Sequence, residues 1–193
     1  MYICKKLSPM DTREQIIDLA DNLIRHKGYN AFSFYDISKS VGIKTASVHY
    51  HFPAKSDLGV AVIEQHIYNL ALVREKFKSK SPQENLDKFL SIYSSVKNEN
   101  AVCLVGSLTT DFNTLDKKVK EKLKTFADAM LDWVSSFLEE GRNSNIFQFK
   151  GLARTKALMI TGNMLAIVQL SRLTGDKDFK TVKDTIKKEL ISI

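Results

Sequence analysis

Apolar residues recur at helical spacing along nearly the whole of this chain, with no sustained alternation of β-branched residues that would predict strands. Ile16, Ala20, Leu23 and Ile24 form one stripe, with Asp18, Asp21, Asn22 and Arg25 on the wet side, predicting an amphipathic helix that Gly28 stops. Thr12 and Gln15 have the spacing of a capping box at its start. Tyr29 and Phe32 are expected to fold back as core plugs. Phe34, Ile37 and Val41 then repeat at a helical period behind Ser33, an N-cap residue type. Gly42 supplies a tight turn, Ile43 tucks inward, and a second short helix is expected from about Lys44 to Tyr50. Pro53 stops it and opens a long helix, Ala54 to about Lys78, with Leu58, Val62, His66, Leu70 and Val73 along its buried edge.

Ser79-Lys80-Ser81-Pro82 breaks that pattern and reads as a domain boundary. The expected division is a head at 1–53, a connecting helix at about 54–78 and a second domain at 79–193. Leu86, Phe89, Leu90 and Tyr93 share a face of the next helix. The segment from Ala101 to Leu108 is apolar nearly all round, which predicts burial on every side. A long amphipathic helix from Leu115 to about Gly141 carries Val119, Leu123, Phe126, Met130, Trp133, Val134 and Phe137 inward and lysines outward. Leu152 to Leu173 is the most apolar helix, and a last helix runs from Phe179 to Ile191. These two helices hold more apolar surface than one fold of this size needs to bury, which predicts a subunit interface. Met1–Met10 reads as a frayed tail whose Lys5 and Lys6 lie within reach of a nucleic-acid phosphate.

Composition narrows the classes. At 193 residues, 44% of them hydrophobic and 26% charged, the chain suits one or two globular domains. A formal charge of +7 favours an anionic partner. Cys4 and Cys103 lie too far apart to suggest a disulfide framework. No N-terminal run resembles a signal peptide and no apolar stretch reads as long enough to span a bilayer, so a soluble cytoplasmic protein with no membrane partner is expected. The sequence holds no Gly-x-Ser-x-Gly, no phosphate-binding Walker loop and no His-Glu-x-x-His, so no enzyme is expected. His49 and His51 stand two apart without a Cys or carboxylate at ligand spacing, so neither metal nor cofactor is expected.

Two short helices around a glycine turn are the helix-turn-helix pattern, whose second helix enters the DNA major groove. The run G-I-K-T-A-S-V-H-Y-H-F-P-A-K-S-D-L, Gly42 to Leu58, resembles the signature of TetR/AcrR-family transcriptional regulators. The likeness extends back through Thr12-Arg13-Glu14 and Gly28-Tyr29, over about the first third of the chain. It implies an all-α fold, with a three-helix head joined by a long helix to a ligand-binding and dimerisation domain. It further implies a homodimer, paired through the last two helices, that represses from a pseudo-palindromic double-stranded operator. Displacement at the far end of the long helix would then re-aim the heads. Activation of transcription, ligand-independent DNA binding, and an enzymatic or lipid-binding helical body stay open beside that reading.

The same resemblance gives residues their roles. Lys44, Thr45 and Ser47 begin the recognition helix; the lysine can reach guanine edges or phosphates, the hydroxyls either, and the Thr45 and Ala46 methyls can touch thymine. Val48 is expected in the core. His49, Tyr50 and His51 are expected to position phosphates, with Lys55 as a clamp and Ser33 and Tyr35 on the other side of the groove. The family usually has an aromatic residue, often Tyr, where His49 stands. Tyr93, Cys103, Leu104, Ser107, Phe126, Met130, Trp133, Met164 and Gln169 are expected to line a cavity for a small hydrophobic effector, a filled core being the alternative. Cys103-Leu104-Val105 is similar to a branch of the family that senses electrophiles or reactive chlorine through a cysteine there, with Gln169 expected opposite it. An inert buried thiol is the other reading.

Overall fold

A computed structural model of the chain describes residues 11–191; the expectations for Met1–Met10, with Cys4, Lys5 and Lys6, lie outside the described residues. As the periodicity predicts, the fold is all-α, with nine α-helices and no strand among the described residues. They are α1 (Thr12–Lys27), α2 (Phe34–Val41), α3 (Thr45–His51), α4 (Lys55–Phe77), α5 (Pro82–Asn98), α6 (Leu104–Thr110), α7 (Lys117–Asn143), α8 (Ala153–Thr174) and α9 (Asp176–Ile191).

Short polar side chains set the starts of α2 and α5. At α2, Ser33 and Asp36 form a reciprocal capping box, and Ser81 and Glu84 do the same at α5 with Pro82 in the first turn. The expected box at α1 does not form. Asp11, not Thr12, is the N-cap; its carbonyl accepts the Gln15 N–H at 3.0 Å, so Thr12 already lies inside the helix. In the N-terminal unit, Ile16, Ala20 and Ile24 of α1 are fully buried together with Ile37, Val48, Leu58 and Val62.

The break between α4 and α5 is pinned. Buried Asn85 shares its two Nδ2 protons among the carbonyls of Phe77, Lys80 and Ser81, each at 3.1 Å, while its Oδ1 accepts the Trp133 indole N–H at 3.0 Å. One amide therefore satisfies both the turn and the buried indole. Ion pairs from Lys118 to Asp57 (2.5 Å) and from Lys122 to Glu64 (2.8 Å) run from α7 to α4 along the same side.

α6 departs from its expectation of burial on all sides. Leu104, Ser107 and Leu108 are buried, whereas Cys103, Val105 and Gly106 stay half-buried beside cavities. α8 corrects a second expectation: it is 22 residues long and holds an 18-residue window of mean hydropathy 1.2, enough by length and composition alone to cross a membrane. It is nonetheless a packed helix, burying Ala157, Ile160, Met164, Ile167 and Val168. Its opposite face is apolar and exposed at Leu158, Met159, Leu170 and Leu173, the last 87% exposed. α9 instead turns Phe179, Ile186 and Leu190 into the core and leaves Lys177, Lys180 and Lys188 outside, so the apolar surplus predicted for both helices sits chiefly on α8.

Candidate DNA-binding face and ligand cavity

The angle between α2 and α3 is fixed by a glycine and a hydroxyl pair. Gly42 takes the left-handed conformation at φ 78°, open only to a residue without a Cβ penalty, and its N–H and that of Ile43 both reach the Ser38 carbonyl at 3.0 Å. Ser38 spends its single hydroxyl proton on the Tyr35 carbonyl at 2.9 Å. Its 2.9 Å contact with Thr45 Oγ1 is therefore Thr45 donating. Val48, fully buried, anchors the middle of α3.

This arrangement turns the other side of α3 outward. Lys44 and Ala46 are exposed, Ser47 and His51 half-buried, and Tyr50 is 84% exposed with its ring edge-on to His51 at 5.3 Å. His49 is exposed and stands edge-on to buried Phe34 at 4.8 Å. Tyr35, 64% exposed, projects from the first turn of α2.

Three residues expected to contact DNA have their polar groups engaged within the fold. The Thr45 hydroxyl proton is committed to α2, so Thr45 cannot donate it to DNA. Ser33 has no proton to offer a phosphate, because its N–H and its hydroxyl both donate to Asp36 Oδ2 at 2.7 Å. Those bonds hold the Asp36 carboxyl below its usual range, and the resulting negative charge repels phosphate. Lys55 points inward: its ammonium donates to the Phe32 carbonyl and lies 4.1 Å from the Phe32 ring centre and 4.8 Å from that of Tyr29. Burial pushes its pKa down. The ammonium thus closes on the fold in this structure.

Below the N-terminal helices, a cavity of about 270 Å³ opens between α5, α6 and α7. Five of the predicted effector residues meet there: Tyr93, Cys103, Leu104, Phe126 and Met130, joined by Phe89, Ile92 and Val105. Trp133 and Met164 do not line it; Trp133 is bound to Asn85, and Met164 is fully enclosed in the core. Ser107 is also elsewhere, donating to the Ile24 carbonyl at 2.5 Å. Gln169 lines a separate, more open cavity of about 350 Å³ on the α8 side, which shares Tyr93 and Cys103 with the first. Cys103 caps α6, its Sγ accepting the Gly106 N–H at 3.3 Å. Burial nevertheless pushes the thiol pKa up, outweighing the Gly106 and Val105 N–H groups and the Arg25 charge. Burial likewise pushes the Tyr93 phenol well up.

Sequence reading missed the charged rim of the first cavity: Arg25, His66, Lys88 and Glu99. His66, a polar residue on an otherwise apolar stripe, was the available signal. Its Nε2 meets Asp21 Oδ1 at 2.7 Å, and Arg25 reaches Glu99 at 2.6 Å. The end of α1 is also strapped to the body. Val102 N–H donates to the Arg25 carbonyl at 2.9 Å, and the Asp111 carboxylate accepts Tyr29 N–H at 2.8 Å and Asn30 Nδ2 at 3.0 Å.

A short recognition helix with its inner residue buried and its outer face clear, carried on a helical body with a cavity, defines a helix-turn-helix DNA-binding regulator. Residues 16–62 match the family described as bacterial regulatory proteins, tetR family. A TetR transcriptional regulator from Legionella pneumophila is 34% identical, with 95% of this chain and 100% of that chain covered and a TM-score of 0.84. The chain belongs to the TetR family of transcriptional regulators. Among curated relatives, an HTH-type regulator encoded in the lacX 3′ region of Lactococcus lactis is 29% identical over 124 residues, 59% of this chain. The IcaR negative regulator of the biofilm operon icaADBC from Staphylococcus epidermidis is 27% identical over 121 residues, 62% of this chain. The matches span 61% and 65% of those two relatives.

Proposed function

We propose that this regulator binds a pseudo-palindromic operator as a homodimer, represses from it, and lets go when a small apolar molecule fills the α5–α6–α7 cavity. The exposed face of α3 carries the reading. Lys44, Ala46 and Ser47 meet base edges and Tyr35, His49, Tyr50 and His51 meet phosphates, while the methyl is the part of Thr45 left for DNA. The role of IcaR as a negative regulator supports repression here.

An apolar, exposed face on α8 suited to pairing supports the same reading. Leu158, Met159, Gly162, Ala166, Leu170 and Leu173 run along the exposed side of α8 at helical spacing, with small residues at the centre where two copies of the helix can approach closely. A two-fold pair places two recognition helices one DNA turn apart, about 34–36 Å. In this division of labour, residues 11–53 read DNA, α4 carries displacement, and the rest binds effector and partner. Localisation to the cytoplasm, with the DNA, follows from that role.

A second reading releases DNA through modification of Cys103, favoured by its place on the wall of both cavities and opposed by its raised pKa. Mobility shift with the chain's own upstream region, alongside sedimentation, tests the main reading; a monomer, or no retarded band, overturns it. Loss of that band after N-ethylmaleimide at pH 7.5, abolished by Cys103→Ser, would install the second reading instead.

A further inference from the structure

We infer that the cavity between α5, α6 and α7 takes a small amphipathic anion, an apolar body with one carboxylate, whose head bonds Arg25 and displaces Glu99, with Lys88 adding positive charge on the same wall. The inference rests on reading this cavity as the effector site and adds the chemical class of its occupant. The apolar part is met by Phe89, Ile92, Phe126 and Met130. The volume of about 270 Å³ is just under the ~300–1,000 Å³ of most ligand sites, which calls for a short body such as a medium acyl chain or one aryl ring.

The charge follows from one cation, Lys88, without a carboxylate partner among the described residues, and a second, Arg25, whose one short bond is to a largely exposed carboxylate. The Arg25 side chain is only 16% exposed, yet two of its bonds are long: 3.4 Å to Asp21 Oδ2 and 3.4 Å to the Val102 carbonyl. Asp21 is more closely engaged with His66, at 2.7 Å. The short bond is to Glu99, whose side chain is 52% exposed and so gives up little on leaving for water. Lys88 is half-buried on the same wall, and among the described residues no carboxylate pairs with its ammonium. A partly buried cation without a close anion favours any anion that brings its own apolar cover. A cationic head would instead meet Arg25 and Lys88. A neutral head would leave Glu99 in place and gain only the apolar contacts.

The site is also placed to be heard. Arg25 lies in the last turn of α1, and its backbone carbonyl and Nε both bond Val102 just ahead of α6. Drawing the guanidinium into the cavity removes its hold on Glu99 and bears on the strap between the DNA-reading helices and the body. Such an anion favours whichever conformer lets Arg25 turn inward, as only a difference in affinity between conformers can.

The test is a head-group series on the full-length chain: octanoate, octanamide and octylammonium, with 4-methylbenzoate and 4-methylbenzamide as a second body, measured by calorimetry at pH 7.5. The expected result is at least one carboxylate binding about tenfold or more tighter than its amide, with octylammonium not binding. Glu99→Gln, which removes the internal competitor, is expected to tighten that carboxylate several-fold. Arg25→Gln is expected to erase the preference for carboxylate over amide. Amide and carboxylate binding equally, or Glu99→Gln leaving carboxylate binding unchanged or weaker, overturns the anion while leaving the cavity as effector site. Absence of binding by every member of the series, or carboxylate binding that survives filling the cavity with Met130→Trp, overturns both.

Discussion

Arg25 and Val102 bond each other twice: the Val102 N–H donates to the Arg25 carbonyl at 2.9 Å, and Arg25 Nε donates back to the Val102 carbonyl at 3.4 Å. The last turn of α1 is thereby fastened to the segment that leads into α6. The neighbouring bonds, Ser107 to the Ile24 carbonyl and Tyr29 N–H to Asp111, extend the fastening over a whole helical turn and the residues after it.

Asp111→Ala removes the acceptor of Tyr29 N–H and of Asn30 Nδ2. Losing a charged acceptor from a part-buried donor costs about 2 kcal/mol, and urea unfolding of the full chain measures it. DNA affinity is expected to fall in parallel, because the N-terminal helices lose one of their anchors.

Lys55→Ala is expected to lower stability by about 1–3 kcal/mol, through loss of the bond to the Phe32 carbonyl and of the ring contacts. The slope of log K against log salt for operator binding is expected to stay where it was. Lys44→Ala is the contrast: stability unchanged, with operator affinity lowered about tenfold and sequence preference relaxed through loss of its base-edge contact. A flatter slope for Lys55→Ala would return that lysine to the DNA.

Asp21 supplies a pH dependence. Its burial alone would raise the carboxyl pKa, but hydrogen bonds and charge from His66 and Arg25 outweigh that and lower it from 3.8. A carboxyl lowered on folding contributes stability that is present above its unfolded value and is lost as pH falls through the folded one. The wild type is therefore expected to lose stability progressively as pH drops below 3.8, and Asp21→Asn to lose less over that window. At pH 7 the same variant is expected to be less stable by about 1–2 kcal/mol. Urea midpoints across pH 2–7 check both.

Gly141→Ala tests the turn that leads to α8. A Cβ there would stand 2.1 Å from Cδ2 of Phe147, a ring buried to 1% exposure. The ring has nowhere to retreat, so a loss of about 3 kcal/mol is expected, at the upper end of overpacking costs. The same variant is expected to weaken pairing of subunits, read by sedimentation, because this turn sets where α8 begins.

Sequence alone carried the helices and the recognition element a long way, because each rests on local chemistry: the Ser33 cap, the Gly42 turn and the Val48 anchor act within a few residues of chain. It misjudged what depends on distant partners. Lys55 was legible as a cation at a helix start, but nothing local says that the Phe32 carbonyl lies within its reach. Trp133 looked like a cavity wall until Asn85, far off in the chain, took its indole proton. Arg25 read as the wet side of α1, which is true of an isolated helix; burial came from the α5–α6 connection folding over it.

The fastening at Arg25 and Val102 bears on modularity. The stretch that reads DNA owes part of its shape to residues around 99–111, so grafting residues 11–53 alone onto another regulator's body would transplant an unfinished part. A working chimera has to carry Glu99, Val102, Ser107 and Asp111 along with the recognition helix, or find counterparts for them in its new host.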